Sequence, residues 1–275
     1  MQASAPAADV TGGPRLLSLF ALGATPPRAV RGGLQVASLL LPLLAWTAFT
    51  AIGIVDEKFL PSPAAVFRSL ASMAESGILF QDIVASTGRV FGGFLLATLL
   101  AVPIGIVMGV YPAICALCEP LIAMLRYMPA AAFIPLLIIY LGIGEAPKIA
   151  LIFLGTVFFN ILMVMDAVKF VPKELIETTL TLGGRSRQVL VQVVARYSLP
   201  SIIDTLRINI ATSWNLVVVA ELVAADVGLG KRIQLAQRFF RTDQIFAELI
   251  VLGLIGFAID MSFRLLLRLS CRWAV

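Results

Sequence analysis

The chain has 275 residues, 60% of them hydrophobic and only 13% charged, with a formal net charge of +5 and a mean hydropathy of +0.98. A soluble domain is nearer about half apolar and about a quarter charged, so lipid must solvate much of this surface. Histidine is absent, which removes the commonest general base and metal ligand, and the basic residues do not cluster with aromatics as a nucleic-acid-binding face requires.

Residues 1–33 are rich in Ala, Pro, Gly and Ser and carry Arg15, Arg28 and Arg31, a composition that predicts a flexible arm. Within it, "RLLSLFALGA" has the length of a signal-peptide apolar stretch. The region before it is long and holds Asp9 with only Arg15 as a base, so a helix lying on the membrane surface is the better reading. The transmembrane domain is expected to occupy residues 34–275.

The first span is "LQVASLLLPLLAWTAFTAIGIV", Leu34 to Val55, uncharged and long enough for a bilayer that needs about 20 residues. Pro61 and Pro63 then force an extended corner before an amphipathic helix. A second span is expected from just after Arg89 to Val110, and its Gly105-x-x-x-Gly109 favours close helix packing. A third, Leu117 to Leu141, contains Arg126 and is broken by Pro129 and Pro135. "GIGEAPK" leads into a fourth, Lys148 to Val168. A fifth runs from Leu199 to Val223 with Asp204, Arg207, Asn209, Asn215 and Glu221 inside it, and a sixth from Ile245 to Leu267. The pattern is an all-α integral membrane protein of about six transmembrane helices, without a periodic repeat. Cys115-x-x-Cys118 lies at the end of an uncharged run with no second ligand pair, so small apolar fillers fit better than a metal or redox site. No catalytic residue and no metal ligand set is expected.

With the N-terminus inside, more Lys and Arg fall on the inner side: the arm, the five from Lys169 to Arg196, and Arg264, Arg268 and Arg272. Both termini are then cytoplasmic, although the basic loop holding Lys231, Arg232, Arg238 and Arg241 opposes the trend. That outer loop is suited to steering anions or to meeting an acidic face of another protein.

The polar stretch "PKELIETTLTLGGRSRQ", residues 172–188, interrupts the apolar pattern within a cytoplasmic module of about residues 169–198. Pro172 suits a first helical position, Glu174 and Glu177 complement the positive end of the helix, and Gly183 is placed to end it with φ > 0. Ser186 is then expected to cap a second short helix leading to Leu199-Pro200.

These residues carry a resemblance. Glu177-Thr178-Thr179, then Gly183, then Leu199-Pro200 stand where permease subunits of binding-protein-dependent ABC importers have Glu-Ala-Ala, Gly and a later Leu-Pro. "FLPSP" (59–63), "EPLIAMLRYMPAAAFIPLLIIYLGIGEAPKIALIFLG" (119–155), "LPSIIDTLRINIATSW" (199–214), "AE" (220–221), "GLG" (228–230) and "FRTD" (240–243) resemble the nitrate/sulfonate/taurine/bicarbonate branch. The likeness covers about Val55 to Trp273. Thr178 and Thr179 replace two alanines, and Ala195-Arg196 stands where branch members show an additional Leu-Pro.

The resemblance implies a type I ABC importer permease fold in a bacterial inner membrane, paired with a second copy of itself. It implies two cytoplasmic ATPase subunits that bind ATP and Mg, and an extracytoplasmic solute-binding protein. Glu174, Glu177, Thr178, Thr179, Gly183 and Gly184 would form the ATPase-coupling surface. The chain itself has no cofactor and is not an enzyme: "DVGLGKR" fails as a phosphate loop, with Ala225 where Gly is needed and Arg232 where Ser or Thr is needed. The implied solute is a small anion of the sulfonate, taurine, nitrate or bicarbonate class; a vitamin or pyrimidine precursor is the alternative within the branch.

Charged groups inside spans cost about 2.5–3.5 kcal/mol on insertion scales and usually face partners or water. Asp204 and Arg207, three apart, are expected to pair. Arg126 beside a broken helix is placed to attract an anion, unless it pairs with Glu221 or Glu119. Asn160, Asn209, Ser213 and Asn215 offer neutral hydrogen bonds to a solute or between helices, and Glu221 completes the candidate pathway. A secondary transporter would instead want an inverted repeat and a titratable relay, and would leave the capped module unexplained.

Overall fold

The computed structural model describes residues 27–273, in two units that meet at Pro63. Of the arm expected over residues 1–33, residues 1–26 lie outside the described residues, while Arg28–Gly33 form the first turns of a helix rather than a flexible segment. In the first unit, α1 (Arg28–Ile52) ends on Gly53 in the left-handed conformation, and Trp46 Nε1 donates to the Pro61 carbonyl at 3.0 Å. The "FLPSP" corner is thereby held back against its own helix.

The regular elements of the second unit are all helices among its described residues. It comprises α2 (Pro63–Glu75), α3 (Ile78–Val110), α4 (Pro112–Arg126), a 3₁₀ turn (Ala130–Phe133), α5 (Ile134–Leu141) and α6 (Glu145–Lys169). There follow α7 (Lys173–Thr181), α8 (Ser186–Gln188), a π-helical segment (Val189–Val194), α9 (Ala195–Ala224), α10 (Leu229–Arg238) and α11 (Thr242–Ser270). Among the described residues five helices are long and apolar enough to cross a bilayer. A sixth span is made if α4 is joined to the segment Ala130–Leu141, which leaves it at 82°.

The bundle is organised by how closely α3 and α6 can approach. On α3, Gly93, Ala97, Ala101, Gly105 and Gly109 recur every fourth residue, so one stripe of the helix has almost no side chain. A Cβ on Gly105 would lie 2.7 Å from the Val164 Cβ and 2.8 Å from the Ile161 carbonyl oxygen, and one on Gly109 would lie 2.6 Å from the Val168 Cβ. Both helices therefore run in the same direction with their backbones in near contact. The antiparallel α9 packs on the other side of α6, Asn209 facing Asn160. In turn α11 packs antiparallel to α9, with Trp214 Nε1 donating to the Leu252 carbonyl at 3.0 Å.

Expected and observed boundaries differ most at α3. The second span was expected after Arg89, but the helix begins eleven residues earlier at Ile78. Asp82, Ser86 and Arg89 share one helix face at i, i+4 and i+7, and all three are buried. Their polarity is satisfied by protein, so it marks no boundary with water. Similarly, Pro135 does not break the third span: it sits in the first turn of α5, where a missing N–H is harmless. The break falls at Tyr127–Pro129.

Charge holds the end of the bundle where α3, α6 and α11 begin and α9 ends. Arg89 Nη1 lies 2.5 Å from Glu221 Oε1 on α9, while its Nε and Nη2 meet both oxygens of Glu145 on α6 at 2.5 and 2.8 Å. Lys148 adds a second cation to Glu145 at 2.8 Å. The first turn of α10 docks on the same cluster: Gly228 N–H donates to Asp82, Leu229 N–H to Ser86 Oγ and Gly230 N–H to Glu221 Oε2, at 2.8–2.9 Å. Three N–H groups that a helix start leaves without intrahelical partners are thus met by side chains. A Cβ at Gly228, where φ is 134°, would sit 2.5 Å from the Glu221 carboxyl, and one at Gly230 would sit 2.8 Å from the Val218 carbonyl oxygen. The "GLG" at 228–230 is therefore a close-approach device for α10. Arg232 closes the cluster on Asp82 at 2.8 Å.

Glu248 of α11 is the odd member. It is fully buried, within electrostatic reach of Asp82, Arg232 and Glu221, and neither of its oxygens has a hydrogen-bond partner. Three cations, Arg89, Lys148 and Arg232, thus face four carboxyl groups.

Two expectations follow. Gly105→Val overfills the α3–α6 seam and should cost about 1–3 kcal/mol, read as a lower unfolding midpoint in detergent. Arg89→Met leaves Glu221 buried without its cation and should cost about 3–5 kcal/mol. The double variant Arg89→Met/Glu221→Gln should cost less than Arg89→Met alone, because the charge left behind is removed while an acceptor for Gly230 remains. Additive losses in the same unfolding measurement would mean that the pair does not act as a unit.

Candidate functional site

At the opposite end of the bundle, α7 forms a short lever between the end of α6 and the start of α8. The N-cap is Pro172, with φ −58° and ψ 130°, so the helix starts one residue later than expected. It ends in a Schellman motif: Gly183 N–H bonds the Leu180 carbonyl at 3.0 Å, Gly184 N–H bonds the Thr179 carbonyl at 2.9 Å, and Gly183 has φ 82°. Gly184 is needed for a separate reason, since a Cβ there would lie 2.6 Å from the Thr179 oxygen and 2.8 Å from its Cγ2. Thr179 therefore packs against the elbow, with its hydroxyl turned back to the Leu175 carbonyl at 2.7 Å.

The expected Ser186 cap is corrected. Arg185 is the N-cap, its N–H bonded to Gln188 Oε1 at 2.7 Å, and Ser186 is the first helical residue. Nor is there a separate second helix, because α8 passes through the π-helical segment directly into α9. With Ala195-Arg196 in place of a Leu-Pro, no proline interrupts the helix before Pro200.

The lever is anchored at its roots and by the half-buried Ile176 at its middle. Val168, Val171, Val189 and Val194 form a small cluster with Ile106, Val110 and Ile176, which ties the ends of α3, α6 and the π-helical segment together. No residue of α7 is buried. Glu174, Glu177 and Thr178 are exposed, and so are Leu175, Leu180, Leu182 and Phe170, the last two at 82% and 83%. Exposed apolar side chains grouped on a rigid protrusion are the mark of a protein contact surface.

The second candidate region is the break in the third span. Starting from Tyr111, α4 climbs about 20 Å to Arg126, far from either end of the bundle. There Ala130 packs beside Gly155 in the middle of α6. A cleft of about 240 Å³ opens at the break, bounded by Arg126, Tyr127, Phe158, Phe159, Thr212 and Leu216 among others. The guanidinium stacks over the Tyr127 ring at 5.0 Å and reaches its hydroxyl at 3.2 Å. Neither acidic partner considered from the sequence reaches it: Glu221 is engaged by Arg89, and Glu119 accepts the Cys115 thiol at 3.0 Å. Among the described residues no carboxylate pairs with Arg126.

The neutral candidates separate. Asn209 Nδ2 donates to Asn160 Oδ1 at 2.7 Å between buried faces of α9 and α6, while Asn160 Nδ2 and Ser213 Oγ are buried without partners. Asn215 is exposed, on the side of α9 that also carries Thr212. Glu221 is fully buried with both oxygens bonded, in the arrangement of a structural latch. Asp204 and Arg207 do pair, at 3.0 Å, within a larger cluster in which Arg207 also meets Asp260 at 2.8 Å and Asp260 meets Arg264 at 2.7 Å.

Sequence reasoning used Arg89 and Lys148 only as span boundaries and passed over Asp82, Glu145, Glu248 and Asp260. The i, i+4, i+7 spacing of Asp82, Ser86 and Arg89 was an available signal. Glu248 and Asp260 stand in plain view within an apolar run.

Residues 101–272 match the family of binding-protein-dependent transport system inner membrane components. A "Probable ABC transporter permease protein" of Brucella melitensis biotype 1 is 35% identical, the alignment covering 88% of this chain and 97% of that protein. The taurine transport system permease protein TauC of Escherichia coli K12 is 33% identical over 87% and 89%. In three dimensions the chain resembles the inward-facing MetNI methionine ABC transporter, with a TM-score of 0.62 and 18% identity over 70% of this chain and 95% of that one. This fold likeness and the family match agree on an all-α, multi-pass membrane component. The chain belongs to the binding-protein-dependent ABC transporter permeases, among relatives of the taurine and sulfonate permeases.

Proposed function

We propose that this chain is the membrane-spanning subunit of an ATP-driven importer and that it carries a small anionic solute of the sulfonate, taurine, nitrate or bicarbonate class by alternating access. Two copies would form the pathway, with the exposed side of α6 and α9 at their contact. Two ATPase subunits would bind ATP and Mg and grip the α7 levers, and a solute-binding protein would deliver the solute at the latched end. The lever would face the cytoplasm of a bacterial inner membrane, with both termini on the same side.

The observation that carries this reading is the lever itself. It starts at Pro172, is closed by a Schellman motif at Gly183–Gly184, is rooted in the valine cluster that joins α3, α6 and the π-helical segment, and bears exposed Leu and Glu side chains. A force applied there acts through the helix roots, because the elbow residues Gly183 and Gly184 leave no slack between Thr179 and the turn. Glu174, Glu177 and Thr178 present the polar part of that contact; Thr179, Gly183 and Gly184 set its shape. Support for an anion comes from Arg126, which has no carboxylate partner among the described residues, with Thr212 lining the same cleft and Asn215 exposed one turn further along α9.

The test is ATPase coupling. Purified with its cognate ATPase in lipid, wild type should hold the ATPase and alter its hydrolysis. Leu182→Asp and Glu177→Ala change only exposed side chains and should weaken ATPase binding about tenfold or more while leaving the unfolding midpoint unchanged. Gly183→Trp, at φ 82°, should also distort the lever. If wild type neither holds an ATPase nor changes its hydrolysis, a self-sufficient transporter becomes the better reading.

A further inference from the structure

We propose that the turn Arg238-Phe239-Phe240-Arg241, between α10 and α11, is an anchor for anionic phospholipid, its two rings entering the membrane interface and its two guanidinium groups meeting phosphate oxygens. Such an anchor requires only that the chain spans a membrane and is independent of the solute it carries.

The turn is built at a local disadvantage. Like the lever, α10 ends in a Schellman motif: Phe240 N–H bonds the Gln237 carbonyl at 3.2 Å and Arg241 N–H bonds the Ala236 carbonyl at 2.9 Å. In the lever the left-handed position of this motif is held by Gly183; here it is held by Phe240, at φ 53°. Among the described residues no other side-chain-bearing residue has a positive φ. A β-carbon is disfavoured in that conformation, and glycine is not. The ring gains little inside the subunit to offset this, because it is 74% exposed, as is that of Phe239. What two large rings contribute at this turn therefore comes from outside the chain.

Position and charge identify the partner. Thr242 follows the turn and opens α11, and the apolar part of that span begins at Ile245, about 8 Å along a helix from Phe240. The polar layer outside the hydrocarbon is about 5–8 Å deep on each side, so the turn stands within or against it, where aromatic rings and arginines settle. Arg238 and Arg241 are both exposed, and among the described residues no carboxylate pairs with either. Lys231 lies two turns before Arg238 on the same side of α10, and these three cations outweigh Asp226 and Asp243, the acidic residues of the segment. A planar guanidinium matches two phosphate oxygens. An acidic protein face would answer the charges too, but a protein arriving from water would have to displace headgroups to reach the rings. The anchor also bears on the charge network, because α10 is ten residues long, with Gly228 to Gly230 docked on Asp82, Ser86 and Glu221 at one end and the anchor at the other.

Brominated lipids report contact at a single position. The full chain carrying Phe240→Trp is reconstituted in nanodiscs of phosphatidylglycerol and phosphatidylcholine, with bromine on the acyl chains of one lipid or the other. Quenching beyond that of the wild type, which has three tryptophans of its own, belongs to the new indole. Phosphatidylglycerol should be preferred there about 30-fold, about fivefold for each arginine, and the preference should fall to near one when Arg238→Gln and Arg241→Gln are added. A second variant separates anchoring from folding. Phe240→Gly relieves the left-handed strain, so its unfolding midpoint in lipid-free detergent should be unchanged or higher than wild type. The rise in midpoint on adding phosphatidylglycerol should nevertheless be smaller than in wild type, because one ring is gone.

Equal quenching by the two lipids, or an unchanged preference without the arginines, would overturn the anchor. So would a lower midpoint of Phe240→Gly in lipid-free detergent, which would mean that the subunit itself holds the ring. If the arginine variants kept their lipid preference and instead lost affinity for a solute-binding protein, the surface would belong to that protein. None of these outcomes touches ATPase coupling at α7, so the importer reading stands or falls separately.

Discussion

Arg89 sits almost wholly out of solvent, where a guanidinium is tolerated only if its charge and its N–H groups are met by protein. Meeting them requires Glu221 from α9, Glu145 from α6 and the Val227 carbonyl from the loop before α10 to converge on one face of α3. That convergence fixes the relative height of three long helices. It also explains the local composition: Ser86 shares the Glu221 carboxylate, and Gly228 and Gly230 let the start of α10 come within hydrogen-bond distance of the cluster. Apolar packing alone would not set this register. Lipid is as apolar as leucine, so helix association in a membrane depends on close backbone approach and on polar contacts, and the glycine–alanine stripe of α3 supplies the first of these.

The two ends of the bundle are consequently different in kind. One is closed by a network of charges, with side chains and helix-start N–H groups mutually satisfied apart from Glu248. The other ends in a short capped helix with no buried residue and several exposed leucines. Between them, α3 and α6 lie backbone to backbone for most of their length, which couples the valine cluster under the lever to the latch at the far end through two rigid elements. Close-packed helices deform little and pass strain along their contact. In the proposed function this stiffness is what makes a push on α7 useful, and the broken third span is the element free to respond differently from its neighbours.

Element identity was largely legible in the sequence, because apolar length and turn chemistry determine it. The fourth, fifth and sixth spans, the amphipathic α2, the broken third span and the lever ended by Gly183 all follow from those signals. Boundaries and partners were less legible. Arg89 looked like a membrane flank, since from sequence a charged residue reports its cost but not its partner, and Glu145 and Glu221 lie 56 and 132 positions away. Ser186 looked like a cap because of its residue type, yet Gln188 reaches back to Arg185 and moves the cap by one. Pro135 looked like a break, but a proline in a first helical turn has no bond to lose. For the lever, the motif located both the helix and its elbow; the exposure of Leu180 and Leu182 required the fold.

Charge within the spans sorts by whether it is answered. Arg89, Lys148, Arg207 and Arg232 each have a carboxylate within 3.0 Å, and each holds an end of the bundle together. Among the described residues Arg126 has none, and it lines a cleft with Gly155 in the middle of α6. Placing it there carries the same insertion cost as the others without the ion pair that offsets it, and its own neighbour Tyr127 provides only a ring face and a hydroxyl. A fold that pairs its other intramembrane arginines could have paired this one by a single acidic residue on α6 or α9, where Leu154, Phe158, Thr212 and Leu216 stand instead. The guanidinium, the break that exposes it and the apolar wall formed by Leu154, Phe158 and Leu216 thus meet in one cleft, the part of the bundle where charge is left to contacts other than an internal ion pair.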